Sequence, residues 1–87
     1  MQTDAVTQAI NFAILVAHRL GEPRVLELSR PQYTQLRRFG DPADWSLLST
    51  YRGLRVVETD DADGRVLVWD RMRETEMVQR IDWPARA

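Results

Sequence analysis

Apolar positions along the chain change their period several times, and each change marks a new element. Val6, Ala9, Ile10, Ala13, Ala17 and Leu20 recur at helical spacing, which predicts a helix over Asp4–Leu20. Thr3 or Asp4 can cap its start, and Gly21 followed by Pro23 is a stop signal. Phe12, Leu15 and Val16 lie outside that stripe. A helix apolar over most of its circumference is either central to a core or packed on two sides. In so small a domain, the second side belongs either to the same chain or to a partner.

Arg24–Leu28 reads as a short strand, and the helix after it carries the clearest local signature. Ser29 and Gln32 stand at the spacing of a capping box, and Leu28 with Tyr33 fits the accompanying hydrophobic staple. Pro31 falls in the first turn, where its missing N–H costs nothing. Tyr33, Leu36 and Phe39 form the expected buried face, and Gly40 ends the helix. Asp41-Pro42-Ala43-Asp44-Trp45 repeats the cap-and-proline logic as a single turn that carries Trp45 toward the core.

Period-two patterning follows. Tyr51–Glu58 and Arg65–Asp70 read as two strands of a hairpin joined by the turn-rich segment 59–64. Leu54 and Val56 share one face, as do Val66 and Val68. Leu67 and Trp69 occupy the opposite face, which implies a hairpin covered on both sides. Beyond Arg71 the pattern fits helix or strand, and a third strand over Met77–Trp83 is preferred because a lone hairpin is marginal. The expected fold is α+β in a single domain spanning 1–87: a long N-terminal helix and a second short helix on a small, mainly antiparallel sheet.

Composition removes most chemistry. The 87 residues contain no cysteine, which excludes disulfides, thiolate metal sites and a cysteine nucleophile. His18, the single histidine, sits near the end of the first helix, where a cation favours the helix dipole. Asp60, Asp61, Asp63 and Gly64 resemble a calcium loop only superficially. With Gly64 in the invariant glycine position, Thr59 and Asp70 stand where aspartate and glutamate ligands belong. No phosphate loop, nucleophile elbow or paired histidines occur. No enzymatic activity, cofactor, metal or small-molecule substrate is expected. The net charge of −1 argues against nucleic acid, although all twelve cations are arginine, the residue suited to planar bidentate contacts. The apolar run Phe12–Ala17 is far short of the ~20 residues that span a bilayer, and the N-terminus lacks a basic region. A cytoplasmic location, or one in a virion, is expected.

The remaining candidates are contact residues. Phe12 and Leu15 lie on the over-apolar helix, and Arg37 and Arg38 form a basic cluster beside Phe39. Trp83 stands near the end of the chain beside Pro84. Together they are the candidate protein-binding residues, with a protein partner or self-association expected.

The segments Leu26-Glu27-Leu28-Ser29-Arg30-Pro31 with Tyr33 and Leu36, Tyr51-Arg52-Gly53-Leu54-Arg55-Val56-Val57, and Gly64-Arg65-Val66-Leu67-Val68 share a cadence. It resembles the late segment of tailed-phage major capsid proteins, in which a strand, a Pro-x-x-Leu helix and two glycine-led strands follow one another. The chain is much shorter than a capsid subunit. The resemblance therefore implies a small phage or prophage protein with that local βαββ arrangement. The function expected is that of a non-enzymatic phage or mobile-element protein acting through protein contacts, such as a minor virion or assembly component. The alternative is a small inhibitor or adaptor that binds a host protein.

Overall fold

A computed structural model describes residues 4–46, 49–60 and 63–82. Helix α1, Ala5–Leu20, starts where the extended Asp4 accepts a hydrogen bond from Thr7 N–H (3.2 Å). It closes where Gly21 N–H donates to the Ala17 carbonyl. Val6, Thr7, Ile10, Ala13, Ile14 and Ala17 are its buried side chains. Thr7 is buried although it lies outside the expected stripe, and two apolar positions also differ from the sequence reading. Ile14 joins the core, whereas Leu20, at the last residue of the helix, overhangs an open cleft and stays exposed.

Five strands follow: β1, Glu22–Leu28; β2, Thr50–Tyr51; β3, Leu54–Glu58; β4, Arg65–Asp70; and β5, Thr75–Arg80. They form one sheet in the order β2-β3-β1-β4-β5. Only the β1–β3 pair is parallel, so the fold is α+β on a mostly antiparallel sheet, as expected. The expected pairing of 51–58 with 65–70 is corrected: β1 lies between β3 and β4. Segment 59–64 is long enough to step past one intervening strand, a distance of about 10 Å, and Thr59 N–H ties its start to the Leu28 carbonyl (2.8 Å). The true hairpin on that side is β2–β3, turning at Arg52 and Gly53, both at positive φ (51° and 82°). Pro23 is tolerated in the central strand because β1 pairs with β3 only from Val25 onward, and the β4 register shifts at that point.

Helix α2, Arg30–Phe39, carries the complete capping box: Ser29 Oγ accepts from Gln32 N–H, and Gln32 Oε1 accepts from Ser29 N–H (2.9 Å). Its buried residues are Gln32 and Leu36, Tyr33 is half-buried, and Phe39 is exposed, against expectation. Phe39 ends the helix, and its ring instead meets the Arg38 guanidinium. Pro42–Asp44 form the expected single turn, capped by Asp41.

Both helices lie on one face of the sheet, over Leu26, Leu28, Leu54, Val66 and Val68, all buried. The opposite face presents Val25, Val57, Leu67, Trp69 and Val78, and no described element covers it. The sheet is thus covered on one side, not two, as antiparallel sheets commonly are. The ambiguous tail becomes β5, which begins two residues before the expected Met77. Trp83 lies outside the described residues.

Candidate protein-contact surface

Asymmetric layering leaves one side of the molecule incompletely closed. Helix α1 rests on β4 and β5, and α2 packs beside α1 and over β1. A residue facing away from the core on α1 therefore meets water. Phe12 is 65% exposed and Leu15 55%. Between α1 and β5 runs a groove of about 550 Å³, bordered by Ala5, Ala9, Phe12, Gln79 and Arg80. Three of its lining residues, Ala5, Ala9 and Ala13, are small, and Phe12 borders it from the same helix.

The groove ends at β5, a sheet edge that no other described strand pairs. β5 pairs in unbroken register with β4 from Asp70/Thr75 to Arg65/Arg80, and the Ile81 N–H donates to the Gly64 carbonyl (3.0 Å), extending the ladder by one pair. Bonded and non-bonded pairs alternate in an antiparallel ladder. Thr75, Met77, Gln79 and Ile81 thus bond to β4, while Glu76, Val78 and Arg80 turn their backbone groups outward. The Arg80 carbonyl accepts a bond from its neighbour Gln79 Nε2 (3.2 Å), as an outward carbonyl can. Proteins commonly protect such edges with charged side chains, bulges, prolines or brevity. β5 carries the charges Glu76 and Arg80 but no bulge or proline and is six residues long, whereas β2, at the other edge, has only two residues.

Arg37 and Arg38 lie elsewhere. They occupy the last turn of α2 and do not border the groove. Arg37 stacks on Trp45 (4.5 Å to the ring centroid), and Trp45 packs against Tyr33 and the buried Tyr51. Tyr51 donates from its hydroxyl to Asn11 Oδ1 (2.6 Å), joining this tier to α1. Arg37 is therefore the exposed cover of an aromatic stack as well as a surface cation. Sequence reasoning missed the β5 edge. Its alternation was visible, but its place at the edge depends on β1 inserting between β3 and β4, a long-range choice.

The chemistry elsewhere is sparse. A cleft of about 470 Å³ at the end of α1 is bordered by His18, Glu22, Asp70 and Arg71. Glu22 is engaged by Arg71 (3.0 Å), and Asp70 accepts from the Met72 and Arg73 amides of the β4–β5 turn. Among the described residues no group of three or more His, Cys, Asp or Glu could hold a metal ion. Gly64 of the acidic segment is buried for a packing reason: a Cβ there would overlap Gln32 Oε1 and press on the Glu27 carbonyl. Among the described residues no helix is long and apolar enough to cross a membrane. Compared with family models, curated proteins and solved structures, the chain matches none.

Proposed function

We propose that this domain is a non-enzymatic contact protein that works by binding protein along the α1–β5 side. In the reading suggested by the capsid-like cadence of β1 to β4, it is a minor virion or assembly component of a phage or mobile element, acting in the host cytoplasm or in the virion. The observation that carries the contact role is the coincidence of two exposed large apolar side chains on α1 with an outward-facing strand edge that no other described strand pairs. An exposed edge beside an apolar groove is the surface that strand addition uses: backbone bonds give affinity and side-chain recesses give specificity.

A double variant, Phe12→Ser with Leu15→Ser, tests the role of α1. If these side chains serve a partner, dilute protein keeps its unfolding free energy to within about 0.5 kcal/mol, as for surface substitutions away from structural features. A loss above about 2 kcal/mol would place them in the fold and defeat the reading. The alternative, an inhibitor or adaptor of a host protein, draws on the end of α2, where the Arg37 and Arg38 guanidinium groups lie over the Trp45 and Phe39 rings and suit an acidic partner surface.

A further inference from the structure

Resting on that contact reading, we infer that the occupant of the β5 edge is a second copy of this chain, paired antiparallel through β5 about a two-fold axis at Val78. Outward-facing residues must oppose outward-facing residues, so Glu76, Val78 and Arg80 are the ones to be matched. Centring the axis on Glu76 or on Arg80 sets like charges directly opposite one another. Placing Val78 against Arg80 sets Glu76 against Asp82, and placing Glu76 against Val78 leaves Arg80 opposite Glu74, which lies at positive φ in the β4–β5 turn, outside the extended strand. Centring it on Val78 sets Glu76 opposite Arg80 of the second copy, twice by symmetry, with Val78 opposite Val78 between them. Opposite charges and apolar pairs directly across strands stabilise a sheet, and like charges destabilise it.

The same register closes the rest of the surface. Glu76, Val78 and Arg80 then exchange backbone bonds in both directions with the second strand, which satisfies the open edge. On the uncovered face, the cross-strand row Val25–Leu67–Val78 continues through the axis into its copy. Val78 is 47% exposed in the single chain and there gains an apolar neighbour. On the helical face, strands spaced about 4.8 Å apart would bring the two α1 helices to roughly 10–14 Å, the reach of a phenylalanine inserted between them. Phe12 of each copy then lies toward the α1–β5 groove of the other.

Within one chain Glu76 faces Trp69 and Arg80 faces Arg65, and among the described residues neither charge makes an ion pair that its reversal would break. Sedimentation equilibrium on Glu76→Arg, on Arg80→Glu and on their equimolar mixture reads the register directly. The wild type is expected to dimerise, each variant alone to dissociate at least about tenfold more readily, and the mixture to recover as a heterodimer because all facing charges are then opposite. A wild type monomeric at about 1 mM overturns the inference. So does a dimer indifferent to both reversals. If that indifferent dimer is dissolved by Phe12→Ser with Leu15→Ser, the contact reading stands and only the strand pairing falls. A collapse in the stability of that double variant would instead remove the contact reading itself.

Discussion

Tyr51 is the residue on which most of one half of the core converges. It is buried between Trp45 and α1, its ring lies against the would-be Cβ of Gly40, and its hydroxyl reaches Asn11. Burial pushes its phenol above the usual value, against the opposing pull of Arg52 and the Asn11 hydrogen bond. The folded chain thus holds a proton that the unfolded chain releases near pH 10. Stability from this group is fully present below that pH and is lost as pH rises toward and through the raised folded value. Tyr51→Phe should cost about 1 kcal/mol at neutral pH by orphaning Asn11, and should flatten the alkaline limb of a denaturation series. An unchanged alkaline limb would count against the burial argument. Gly64 makes a second residue-scale case: Gly64→Ala should cost about 1–3 kcal/mol through overpacking against Gln32 and the β1 backbone, measurable by urea unfolding.

At the scale of elements, local chemistry was legible wherever it was self-contained. The Ser29–Gln32 box, the Asp41 cap and the start of α1 at Asp4 all depend on residues within four positions of one another, and all are present. Ser29→Ala should therefore cost about 1 kcal/mol, the ordinary worth of a cap, read as a lowered urea midpoint. Strand existence was legible too, because Leu54 and Val56, and Val66 and Val68, alternate into the core. Pairing was not. Nothing local tells β4 to choose β1 over β3; that choice follows from giving the buried β1 two neighbours. The misplacement of Phe39 and Leu20 has a related cause, since helical periodicity names a face without saying where the neighbouring layer stops. The Phe12 and Leu15 readings rested on an excess of apolar surface over what one core can bury, and that excess was countable from the sequence. Arg37 was legible as a cation but not as the cover of Trp45.

Taken whole, the described residues form a two-layer α+β arrangement with a short edge strand at β2, a longer one at β5 that no described strand pairs, and helices on one face. Its core is modest, and Phe12 and Leu15 stay outside it. Pairing through β5 would join two five-stranded sheets into one, with both pairs of helices on the same side. The most direct measurement is amide hydrogen exchange, resolved by residue, at low and at high protein concentration. Self-pairing predicts that the Glu76, Val78 and Arg80 amides gain protection as concentration rises, while Met77 and Gln79, already bonded to β4, change little. Exchange at those three amides that is rapid and independent of concentration would contradict it.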